Sequence, residues 1–126
     1  MKMNTIIFFF LFALFSCEKD NNNPLNKEDI SGNWVNIVNN VDTLFISDSI
    51  IKRTDTITML PKHKYSYTLY EDSIKIIYTG EYYIYVLPSS FKISLDKNGS
   101  VLVIENLSTY FPKYKGDEFI KISTKN

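Results

Sequence analysis

Phe91-Lys92-Ile93-Ser94-Leu95-Asp96-Lys97-Asn98-Gly99-Ser100-Val101-Leu102-Val103-Ile104-Glu105 contains the plainest structural signal in the chain. Phe91, Ile93 and Leu95 alternate with polar residues, as a strand with one buried face requires. Asp96 to Gly99 then supplies a turn, and Asn-Gly readily takes the positive φ values of tight turns. Val101 to Glu105 is the returning strand. Two short strands on a tight turn make an antiparallel hairpin, and the rest of the chain repeats that grammar.

Working backward, Pro88-Ser89-Ser90 leads into this hairpin from a segment at Glu81 to Leu87, itself preceded by Gly80. Ser73 to Thr79 is another candidate strand, entered through the turn Glu71-Asp72. Lys64 to Tyr70 alternates Tyr65, Tyr67 and Leu69 on one face with Ser66, Thr68 and Tyr70 on the other. Ile50 to Met59 is ended by Pro61, Thr43 to Ser47 is entered from Asn39-Asn40, and Val35 to Val38 comes first. Working forward, Lys113 to Asp117 is a polar loop with Gly116, and Glu118 to Ile122 closes the series. Ile, Val, Tyr, Phe and Thr dominate these runs. No window carries a helical stripe, and one turn at Asn26 to Ile30, with Asn26 as cap, is the single helix expected.

Eight or nine short, evenly spaced strands predict an all-β fold. Short connections favour an up-and-down antiparallel meander. Closing it into a small barrel of about eight strands removes its exposed edges.

The totals narrow the function. The chain has 126 residues, which suits one folded domain. Without Lys2, 14 − 1 = 13 basic residues from position 17 onward face 14 acidic ones, so no electrostatic footprint for nucleic acid is expected. One cysteine excludes a disulfide within the chain, and one histidine excludes a site of several His ligands. His63, between Lys62 and Lys64, reads as a loop residue, and the pairs Glu71-Asp72 and Asp117-Glu118 read as solvated turn acids. Glycine-rich phosphate loops, Cys/His metal spacings and nucleophile elbows do not occur in the sequence. The expectation is a protein that is no enzyme and carries no cofactor or metal.

The amino terminus has a different texture. Met1 to Thr5 carries a single Lys, and Ile6 to Phe15 is an unbroken run of ten apolar residues. A membrane-spanning helix needs about 20, so this run suits the core of a secretory signal peptide. It ends in Leu14-Phe15-Ser16-Cys17, which resembles the lipobox of bacterial lipoproteins. The resemblance implies a signal peptide over 1–16, cleavage before Cys17 by the lipoprotein processing machinery, and lipid on Cys17. Several acyl chains give stable anchoring. Residues 17–29 then hold the lipidated cysteine and a polar tether that cannot bury enough to fold. Residues 30–126 form the domain. Glu18-Lys19-Asp20 is similar to the charged surface-export signals of Bacteroidetes lipoproteins. The implied address is the cell envelope, anchored by lipid, in the outer membrane on its surface-exposed or periplasmic face.

Ile30-Ser31-Gly32-Asn33-Trp34 places Gly two residues before Trp, ahead of a β-meander. That arrangement resembles the lipocalin-like small lipoproteins of Bacteroidetes. The resemblance implies that Trp34 plugs the closed end of a barrel, against a basic residue from the last strand, here Lys121.

Two residue sets remain. Tyr65, Tyr67, Tyr83 and Tyr85 lie on neighbouring expected strands, as core and cross-strand packing or as an aromatic face for a small apolar or glycan ligand. Asp42-Thr43-Leu44, Asp48-Ser49-Ile50, Asp55-Thr56-Ile57 and Asp72-Ser73-Ile74 repeat one pattern. It is similar to the O-glycosylation acceptor of Bacteroidetes envelope proteins, which implies Thr43, Ser49, Thr56 and Ser73 as acceptors. The same pattern is also how a turn hands over to a strand. Two functions follow: non-enzymatic ligand binding in the barrel mouth, or a protein-interaction or structural accessory module of an envelope complex with a filled barrel. Interior volume separates them.

Overall fold

The computed structural model describes residues 24–54, 58–80, 87–107 and 116–123. It is an all-β molecule: eight antiparallel strands in up-and-down order form a closed barrel, with the first strand pairing both the second and the last. The strands are β1 Gly32–Asn36, β2 Thr43–Ile46, β3 Ile50–Arg53, β4 His63–Leu69, β5 Ser73–Tyr78, β6 Ser89–Leu95, β7 Val101–Ile104 and β8 Glu118–Ile122. A one-turn helix, α1 Lys27–Ile30, precedes them.

Most boundaries fall within a residue or two of those expected from the alternation, and β8 coincides with its predicted span. Three differ for local reasons. β3 stops at Arg53 instead of running to Met59, and Met59 has φ +59°, outside extended backbone. Val35 to Val38 shifts to Gly32–Asn36, because Ile37 and Val38 turn away from the sheet and are exposed. His63 is no loop residue. It is the first residue of β4, buried, in the same inward phase as Tyr65 and Tyr67. The segment expected at 81–87 lies almost wholly outside the described residues, apart from Leu87, which is exposed and outside any strand.

Inward residues follow the period of two around the ring: Trp34, Leu44 and Ile46, Ile51, Tyr65 and Tyr67, Ile74 and Ile76, Phe91 and Ile93, Leu102 and Ile104, and Phe119. These side chains form one continuous core with Ile30 from α1. The register keeps them level: Trp34 stands opposite Leu44, Ile74 opposite Phe91, and Leu102 opposite both Leu95 and Phe119.

The two ends are unlike. Tight connections at 47–49, 70–72 and 96–100 gather at the end where α1 enters. The longer connections, 37–42, 54–62, 79–88 and 105–117, gather at the other. The end with tight turns is the closed end, and the other is the loop end.

Candidate functional site

The closed end is built on Trp34. Its side chain is fully buried, and its Nε1–H donates 2.8 Å to the Ile30 carbonyl, an otherwise orphaned acceptor at the end of α1. Lys121 reaches across from β8, its register partner, and holds Nζ 5.2 Å from the Trp34 ring centroid. Gly32 makes that crossing easy. It has φ +131°, and a Cβ there would stand 3.1 Å from Lys121 Cε. The three sequence-flagged structural residues, Gly32, Trp34 and Lys121, are therefore brought into one cluster. Tyr67 completes the floor. Its hydroxyl donates 2.6 Å to the Ser47 carbonyl, and Lys27 Nζ stands 5.7 Å from its ring. Burial, then Asp48 and Glu28, push its pKa above the ordinary tyrosine value.

The loop end is built on an ion pair. Arg53 donates from Nε to Asp42 Oδ1 at 2.8 Å and from Nη2 to Asp42 Oδ2 at 2.6 Å. Both side chains are almost completely buried, at 1% and 0% exposure. This bidentate fork occupies both carboxylate oxygens. Asn36 lies beside it in sequence register, fully buried, with Nδ2 donating to Gly116 O and Oδ1 accepting from Val38 N–H. Asn36 thereby ties the end of β1 to the entry of β8. His63 and Tyr65 pack around Tyr78, with ring centroids 6.3 Å and 5.4 Å away respectively.

The Asp42–Arg53 pair was not foreseen, though its signal is in the sequence. Leu44 and Ile51 are inward, so Asp42 and Arg53, each two residues away, share their phase. Two opposite charges in an inward phase demand each other, but the phase of four-residue strands becomes visible only once the barrel is closed.

Between these ends the described side chains pack closely. The cavity between Leu44, Ile51, Arg53, Tyr65 and Ile104 measures about 10 Å³. That is no more than the room for one water, against about 300 Å³ or more for small-molecule pockets. Tyr65 and Tyr67 are core residues at 3% and 5% exposure. Tyr83 and Tyr85 lie outside the described residues, as do Cys17 and Thr56. Of the remaining expected acceptors, Ser49 is exposed in a closed-end turn, Ser73 is half-buried at the start of β5, and Thr43 donates 3.0 Å to the Val41 carbonyl. Among the described residues no cluster of His, Cys, Asp or Glu is placed to hold a metal ion. None of their helices is long and apolar enough to cross a membrane.

The outer wall is divided. On β7, β8 and β1, Val101, Ile120 and Val35 stand abreast in register, with Ile122, Ile37 and Val38 exposed nearby. On β3 to β6 the outward positions carry Lys52, Lys64, Lys75 and Lys92, interspersed with Ser66, Thr68, Ser73, Ser90 and Ser94 and with the isoleucines Ile50 and Ile77. An open hollow of about 570 Å³ lies outside the barrel at the closed end, beside Gly32, Asn98 and Lys121. Its one cation is already placed over Trp34.

Comparison with protein-family models, with curated proteins and with solved structures found no match to this chain.

Proposed function

We propose that this chain is a lipid-tethered cell-envelope protein that is no enzyme, and that its filled barrel serves as a protein-interaction or structural accessory module. The carrying observation is the interior: a cavity of about 10 Å³ between Tyr65, Arg53 and their neighbours leaves no space for a ligand among these side chains. That favours the surface over the interior as the place of contact. The apolar row Val35–Ile120–Val101, continued by Ile122, Ile37 and Val38, is the kind of contiguous exposed patch that marks contact with another protein. The lipobox-like Leu14-Phe15-Ser16-Cys17 supports the tether, with the processing machinery acting on Cys17.

Two measurements test this. Radiolabelled palmitate should enter the wild-type chain and be absent from Cys17→Ala. Native mass spectrometry of protein from its host should show bare chain or chain plus a protein partner, and Val35→Lys with Ile120→Lys should release that partner. A stoichiometric small molecule in the spectrum would return the function to ligand carriage.

A further inference from the structure

We infer that the wall formed by β3 to β6 is a basic docking face for an anionic lipid surface. In the wild-type protein this rests on the proposed tether at Cys17, which would hold the domain beside such a surface.

The face is built of two lysine pairs. Lys52 and Lys64 are direct register partners on β3 and β4, both exposed. Side chains so placed have Cβ atoms about 5 Å apart, and like charges in that position repel. Lys75 and Lys92 form the second pair. Lys75 stands opposite Ser90 and Ser73 opposite Lys92, which makes the two lysines diagonal neighbours on the outer face. Lys92 has Glu105 at 3.6 Å, both well exposed. Among the described residues Lys52, Lys64 and Lys75 have no carboxylate within ion-pair distance.

The carboxylates lie elsewhere. Glu28 and Asp29 are in α1, and Asp48, Glu71, Asp72 and Asp96 are in the closed-end turns. No outward position of β3 to β6 is acidic. Among the described residues, the strands of this wall thus carry no outward acid and set two lysines face to face. A partner that supplies negative charge relieves the repulsion.

A lipid surface suits the face. Among the described residues its outward positions set the hydroxyls of Ser66, Thr68, Ser90 and Ser94 between the lysines. The seven-residue β4 is about 23 Å long. Leu25 packs against the core and Asn26 caps α1, so residues 18–23 remain as tether, about 20 Å when extended, and hold the domain close to the surface that carries the anchor. A tether and a basic face together make the two signals that stable membrane association requires. Each lysine near an anionic surface strengthens partition by about fivefold, and less at high salt.

The test uses residues 17–126 with Cys17→Ser and therefore does not depend on acylation. All eight strands pair within residues 32–122, so this chain contains the whole barrel. Sedimentation with vesicles of phosphatidylglycerol and phosphatidylcholine at low salt should show binding, and pure phosphatidylcholine vesicles should show none. Lys52→Gln with Lys64→Gln should weaken binding about tenfold or more. Lys97→Gln, in a closed-end turn, should leave it within about twofold. Lys64→Glu should lower binding while raising the melting temperature, a combination that a damaged fold would not give. Absence of binding to anionic vesicles, binding to dextran sulfate alone, or binding indifferent to Lys52 and Lys64 would overturn the inference. Loss of palmitate labelling with vesicle binding intact would remove the tether and leave the face.

Discussion

Trp34 and Asp42 are both fully buried, one at each end of the barrel, and they are held in opposite ways. Trp34 is packed under Ile30 of α1 and spends its one polar atom on a carbonyl at 2.8 Å. Asp42 is held by a guanidinium fork at 2.8 and 2.6 Å. The closed end is joined by tight turns, so backbone and helix bring apolar surface close enough to seal it. The loop end has longer connections, and charge fills the inward positions instead. The difference teaches how each end fails: trimming the plug leaves a cavity and an orphaned carbonyl, whereas removing half of a buried ion pair strands the other half as an unpaired charge.

Among the substitutions considered below, the largest effect should come from Asp42→Ala, which leaves Arg53 charged and buried. A loss of about 3–5 kcal/mol is expected in urea unfolding. Asp42→Leu combined with Arg53→Met should recover most of that loss, because it removes both charges and keeps the volume. If the double variant is as unstable as the single one, the pair carries a structural role beyond mutual neutralisation.

At the closed end, Gly32→Ala should cost about 1–3 kcal/mol. Its φ of +131° is strained for any residue with a Cβ. The new methyl also crowds Lys121, so the emission of Trp34, the sole tryptophan, should shift as Nζ leaves the ring. Tyr67→Phe should cost about 1 kcal/mol, the net worth of one hydrogen bond, here to Ser47. An unchanged melting temperature would mean that water replaces the hydroxyl at the Ser47 carbonyl.

How much of this was legible beforehand depends on whether a feature is local. The β6–β7 hairpin was readable because its turn is self-contained. Asp96 accepts from the Ser100 and Val101 N–H groups, and Gly99 has φ +67°. Trp34 and Lys121 meet in the way that the Gly-x-Trp resemblance implies, a contact between β1 and β8 that no local pattern in the chain displays. His63 was misplaced because Pro61 and the flanking lysines suggest a loop, although its inward phase with Tyr65 and Tyr67 was present in the alternation. The Asp42–Arg53 pair was missed because a four-residue strand cannot fix its own phase. The lysine wall was invisible for a further reason: Lys52 meets Lys64, and Lys75 comes diagonal to Lys92, only when strand register is known, the two pairs lying four residues apart along β4 and β5.

The same hairpin gives a pH test confined to the closed end. The Val101 N–H, then Ser100, hold the Asp96 carboxyl below its ordinary pKa. A lowered folded-state pKa adds stability that is complete above the unfolded value and is lost as pH falls through the folded one. Wild-type protein should therefore lose stability below about pH 4, and Asp96→Asn should flatten that part of the profile.

The smallest expected effect concerns the walls. Lys64→Glu converts the register pair Lys52–Lys64 from repulsion to attraction. It should raise stability by about 0.2–1 kcal/mol in low salt, the range for an exposed cross-strand charge pair, and the gain should shrink as salt screens it. The substitution touches neither end of the barrel, so the effect should add to those of Gly32→Ala and Asp42→Ala. A gain here means that the native sequence keeps a residue less stable than a single alternative, on a face with no other structural duty. Stability forgone at a surface position is a signature of selection for contact. If Lys64→Glu is neutral or destabilising, the two lysines splay apart without strain, and the basic wall has to be justified by binding alone.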